Sequence, residues 1–115
     1  MEFYKKSFGF EQKFLTPEND YGELISGNTT IAFANLELAN SNLKKGFTES
    51  KLSEQPFGIE LAFTTSEVEK VMENAVKNGA EILEDKVIKP WGQEVGYLRD
   101  LNGFLIEICT PIENK

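Results

Sequence analysis

Two carboxylates stand inside alternating apolar runs. Glu107 lies in Phe104–Cys109, where Phe104, Ile106 and Ile108 take one face and Leu105, Glu107 and Cys109 the other. Glu60 lies in Phe57–Thr64, where Phe57, Ile59, Leu61 and Phe63 alternate with Gly58, Glu60, Ala62 and Thr64. Carboxylates so placed can hold a divalent ion, act as a base or hold a cation. The plainer alternative is two solvated residues on an open sheet face. Tyr97 and Arg99 share the face of their strand opposite Gly96 and Leu98. Arg99 is thus available to an anionic ligand or to Glu107, and an internal ion pair is the simpler reading. Trp91, between Pro90 and Gly92, is either a stacking platform for a flat ligand or a loop anchor. Asp100 orders its turn by an Asx-type bond. The chain has 0 histidines. This removes imidazole acid–base catalysis, Ser-His and Cys-His nucleophiles, and every metal site that needs imidazole.

The elements that must position these residues follow from pattern. Glu2–Ser7 reads as a short helix ended by Gly9. Phe10–Leu15, Tyr21–Ile25 and Thr29–Ala34 read as strands, separated by the turn chemistry of Thr16–Asp20 and Gly27-Asn28. Leu36–Ser53 reads as a linker with at most a helical turn. Phe57–Thr64 is a strand. Ser66–Asn78 is an amphipathic helix with Ser66-x-x-Glu69 as a capping box and Gly79 as its stop. Ala80–Ile88, Glu94–Asp100 and Phe104–Cys109 are strands, the last two joined by a Leu101-Asn102-Gly103 turn. The order helix, strand, turn, strand, turn, strand occurs twice, which marks a duplicated βαβββ unit. The strand that precedes the helix in the second copy has no counterpart before Met1. That absence reflects either a real truncation or a misassigned start codon.

One domain is expected for 115 residues, with 1–35 a truncated first unit, 36–55 a linker and 56–112 a complete second unit. A net charge of −7 without a basic cluster argues against nucleic acid. No apolar run reaches membrane-spanning length, and the start is not a signal peptide. A single cysteine, Cys109, cannot form an intrachain disulfide, so a cytoplasmic location is expected.

The repeat and its wording resemble the vicinal oxygen chelate superfamily, which includes glyoxalase I, bleomycin-resistance proteins and extradiol dioxygenases. The matching residues are Phe3-Tyr4 with Phe8-Gly9-Phe10, Glu60–Phe63, Asn78-Gly79-Ala80, Pro90–Gln93, Arg99-Asp100-x-Asn102-Gly103 and Ile106-Glu107-Ile108. The resemblance implies an α+β fold of paired βαβββ units, here with the first strand of the N-terminal unit missing. It implies two sheets curving into a cup, with helices outside. Glu60, Tyr97, Arg99 and Glu107 would then face the cup. It also implies a homodimer. Metal-dependent members hold the ion on the first and last strands of each unit. In this chain those places become a missing strand, Ala32, Glu60 and Glu107. The expectation is therefore a small-molecule binder resembling the bleomycin-resistance branch. It would sequester a hydrophobic or cationic ligand without metal or other cofactor, through Trp91, Tyr97, Arg99, Glu60 and Glu107, and would have no catalytic residues. The alternative is a divalent-metal-dependent lyase similar to glyoxalase I.

Overall fold

In a computed structural model, residues 1–112 are described and form ten elements. The chain divides into two compact units, Met1–Glu49 and Ser50–Lys115. The first carries α1 (Glu2–Phe8), β1 (Glu11–Leu15), β2 (Tyr21–Ser26), β3 (Thr29–Ala34) and α2 (Leu36–Asn42). The second carries β4 (Glu60–Thr64), α3 (Val68–Lys77), β5 (Glu81–Ile88), β6 (Glu94–Arg99) and β7 (Leu105–Cys109). The fold is α+β with two sheets, as expected. No helix among the described residues is long and apolar enough to cross a membrane.

In the first unit, β1-β2-β3 is an antiparallel sheet of three strands. Helix α1 ends at Gly9, whose φ of 71° is the left-handed conformation that glycine adopts without a Cβ penalty. Phe3 and Tyr4 are buried on its inner side, and the Tyr4 ring lies 5.3 Å from that of Phe33 on β3. Gly22 and Leu24 are buried, and Gly22 pairs with Phe33. These residues set the helix-facing side of the sheet. Tyr21, Glu23, Thr30, Ala32 and Ala34 therefore point to the other side.

The second unit is a sheet of four strands in the order β4-β7-β6-β5, with β4 parallel to β7 and the remaining pairs antiparallel. Leu98, Ile106, Ile108 and Val68 are fully buried between this sheet and α3. Each contributes about 1.5–3 kcal/mol by removal from water. Gly96 lets the helix approach, because a Cβ there would overlap the Met72 thioether. The helix ends in a Schellman pattern. Ala80 N–H donates to Ala75 and Gly79 N–H to Val76, each at 3.0 Å, and Gly79 has a φ of 107°.

Three local expectations are corrected. The strand begins at Glu60 rather than Phe57, and Ile59, grouped by alternation with Leu61 and Phe63, lies outside it and is 79% exposed. Its partner β7 has run out there: Glu60 pairs with Leu105, while Phe104 N–H donates to the Asp100 carboxylate. The Ser66 capping box does not form. Instead Thr65 Oγ1 accepts from Glu67 N–H at 3.1 Å, and the helix starts at Val68. The stretch read as linker contains α2, whose N-terminus is capped by the Asn35 side chain accepting from Leu38 N–H at 2.8 Å.

Candidate functional site

The face of the second sheet opposite α3 is built by register. Val95 pairs with Cys109, Tyr97 with Glu107 and Arg99 with Leu105. On the other side of β7, Ala62 pairs with Glu107 and Glu60 with Leu105. Because Leu98, Ile106 and Ile108 are buried on the helix side, alternation turns Glu60, Tyr97 and Glu107 to the open side together. The shared face read from alternation is present.

Tyr97 Oη donates to Glu107 Oε1 at 3.0 Å. That hydrogen bond, then partial burial and the Glu107 charge, push the phenol up to about 12. The Glu60 carboxyl is held above its ordinary range, first by desolvation and second by the Glu107 charge. The Cys109 thiol is pushed up by burial and then by Glu107, while hydrogen bonding from the Gln93 side chain opposes the shift. Cys109 is therefore a protonated, buried thiol and not a poised nucleophile. The field on this face is negative and close-range, and it favours whatever brings positive charge to it.

Arg99 is not part of that field. It is 5% exposed, and its guanidinium serves backbone. Nε donates to the Gly103 carbonyl at 3.0 Å, and the two terminal nitrogens donate to the carbonyls of Leu52 and Lys51, each at 3.1 Å. It thereby ties the segment before β4 to the β6–β7 turn. The internal ion pair with Glu107 is replaced by these carbonyls. Asp100 behaves as expected of a turn residue, with Oδ1 accepting from the N–H groups of Asn102 and Phe104 at 2.9 Å each. Trp91 is 65% exposed, so it is not a buried anchor. Its indole Nε1–H donates to Gln93 Oε1 at 2.8 Å.

One feature of the first unit escaped the sequence reading. Ala32 occupies the place that corresponds to Glu107, yet its cross-strand neighbour is Glu23. Tyr21 Oη donates to Glu23 Oε2 at 2.6 Å, and Lys13 Nζ lies 3.7 Å from Glu23 Oε1. The Glu23 hydrogen bond raises the Tyr21 phenol. Each sheet thus carries a tyrosine-capped glutamate on the side away from its helix. A signal was available: Tyr21 and Glu23 are two apart on one strand, and such residues share a face. The position of Lys13 had no such signal, because it depends on an irregularity of the β1–β2 register between Gln12 and Phe14.

Among the described residues no group of 3 or more His, Cys, Asp or Glu could hold an ion. The 2 carboxylates of the open face lack imidazole support, since the chain has 0 histidines, and Glu107 is engaged by Tyr97. This set does not fit a tightly held transition ion.

The comparisons with known proteins agree with this architecture. The family model of a glyoxalase-like domain matches residues 1–113. Among solved structures, the chain is similar to a glyoxalase-related enzyme from Fulvimarina pelagi, with 22% identity over 95% of this chain and 76% of that one and a TM-score of 0.79. It is also similar to a glyoxalase/bleomycin resistance protein/dioxygenase family enzyme from Burkholderia phytofirmans PsJN, with 21% identity, 95% and 85% coverage and a TM-score of 0.75. A third similar structure is TioX from Micromonospora sp. ML1, with 19% identity, 95% and 85% coverage and a TM-score of 0.68. At these identities the likeness is one of fold. No protein of curated function matches the chain. The family match covers nearly the whole chain, and on that ground the chain belongs to the glyoxalase-like domain family of the vicinal oxygen chelate superfamily.

Proposed function

We propose that the protein binds a cationic small molecule on the open face of its second sheet and does so without a metal ion. One observation carries the reading. Glu60 and Glu107 occupy neighbouring strands of one face, and the Glu60 carboxyl is raised first by desolvation and then by the Glu107 charge. Two like charges so placed oppose each other's ionisation, and an organic cation between them removes that cost. Tyr97 orients the Glu107 carboxylate from the side by a hydrogen bond to Oε1. Trp91 supplies an exposed aromatic surface, and such a surface attracts cations through its quadrupole.

The test is a thermal-shift screen of organic ammonium compounds and their uncharged analogues, run with and without a chelator. Cations that raise the melting temperature equally in both conditions support the reading. Stabilisation that needs a divalent ion, joined to turnover of a carbonyl substrate, would instead favour a glyoxalase I-like lyase.

A further inference from the structure

Arg99 is the only arginine of the chain, and alternation along β6 turns it to the same face as Tyr97. It pairs across strands with Leu105, whose other cross-strand neighbour is Glu60. Glu107, two residues beyond Leu105, is its diagonal neighbour. Diagonal partners on an antiparallel pair stand about 7–8 Å apart, within reach of a long side chain. Yet the guanidinium bonds neither carboxylate. It is 5% exposed and gives its hydrogen bonds to the carbonyls of Gly103, Leu52 and Lys51. Two of these acceptors belong to a strap in the stretch before β4. Ser50 Oγ fastens the strap to the Asn102 carbonyl at 2.8 Å, and Glu54 N–H closes a turn on the Lys51 carbonyl at 3.1 Å. Gly103 makes the close approach possible, because a Cβ there would come within 2.8 Å of the Lys51 carbonyl carbon and oxygen.

Lys51 to Gln55 are exposed, so the strap is fastened by polar bonds while its side chains stay in solvent. A segment held this way opens at a lower free energy than the sheet beneath it. When it lifts, Arg99 loses two of its three acceptors and returns to water beside two carboxylates. We propose that Arg99 is a two-position latch that regulates the cation site. With the strap down, the guanidinium holds the strap and leaves Glu60 and Glu107 to a ligand. With the strap up, it swings to those carboxylates and takes the place of the ligand cation. Ligand binding and strap closure therefore favour each other, since only the closed state leaves the carboxylates free. The inference rests on the binding reading above for its ligand and adds the regulation of that site.

A lone arginine gives a single guanidinium Nε–H resonance in a 1H–15N spectrum, and its exchange with water reports release of the latch. Ser50→Ala removes one tie of the strap without touching the carboxylate face, and exchange should quicken about 2–10-fold, the worth of one hydrogen bond. Glu107→Gln keeps an acceptor for Tyr97 but takes the charge from the open position. Without any ligand, exchange should then slow about 1.5–5-fold, the worth of one exposed ion pair. In the native protein, benzyltrimethylammonium at ten times its Kd should slow exchange about tenfold, because it binds only the closed state. Exchange left unmoved or quickened by Glu107→Gln, or unmoved by Ser50→Ala, overturns the latch, as does exchange indifferent to a bound probe. Failure of the native protein to bind the probe in a calorimetric titration overturns the binding reading instead, and the Glu107→Gln result then decides the latch alone.

Discussion

At the residue scale the central unit is the Tyr97–Glu107 pair with Glu60 beside it. The phenol is neutral at neutral pH in folded and unfolded chains alike. The folded state keeps the proton up to about 12, above the ordinary value of 10. The pair's contribution is therefore whole below pH 10 and is lost as pH rises toward 12. At about pH 10.5, where an ordinary phenol is largely ionised, carbon NMR of labelled tyrosine should show Tyr97 still neutral. In Glu107→Gln the same ring should titrate earlier. Arg99 gives a different prediction. Arg99→Met removes the guanidinium donors from the carbonyls of Lys51, Leu52 and Gly103, and urea unfolding should show a loss of about 2–4 kcal/mol. A loss under about 1 kcal/mol would mean that those hydrogen bonds are dispensable. The contrast shows what the sequence could tell. Alternation within a strand was enough to put Glu60, Tyr97 and Glu107 on one face. The destination of the Arg99 guanidinium was hidden, because two of its three acceptors lie 47 and 48 residues away and all are backbone atoms that carry no residue-type signal.

At the element scale, strands with alternation and helices with glycine stops were readable. Gly9 and Gly79 end α1 and α3 as expected. Element starts were less so, because they depend on partners. The β4 strand is shortened by the length of β7, and the start of α3 is moved by a Thr65 hydroxyl bond that competes with the Ser66 cap. Short α2 was missed because it buries no residue and so shows no apolar stripe. The packing of α3 on the sheet turns on Gly96. Gly96→Ala forces the Met72 side chain to move in a filled core and should cost about 1–3 kcal/mol, read as a lower urea midpoint with an unchanged m-value. Met72→Ala in the same background should recover part of that loss by making room, a coupling that a double-mutant cycle detects.

At the scale of the whole molecule, the net charge of −7 sets a field that draws cations in and is screened by salt. Association of an organic ammonium probe should weaken several-fold between about 0.05 and 0.5 M salt, while that of its uncharged analogue stays flat. The resemblance found in scattered motifs holds across the chain, since the family model spans residues 1–113. Membership does not choose between capture and conversion, because one fold hosts both. The proposal of capture draws on the donors: 0 histidines, and carboxylates engaged with tyrosine hydroxyls in both sheets.

The most direct measurement is a calorimetric titration of benzyltrimethylammonium into chelator-treated protein, repeated with a Glu60→Gln, Glu107→Gln double variant. The expectation is binding to the metal-free native protein and at least about a tenfold loss in the variant, the effect of removing two negative charges from the face that meets the cation. Undiminished binding by the variant, or none by the native protein until a divalent ion is restored, would contradict it.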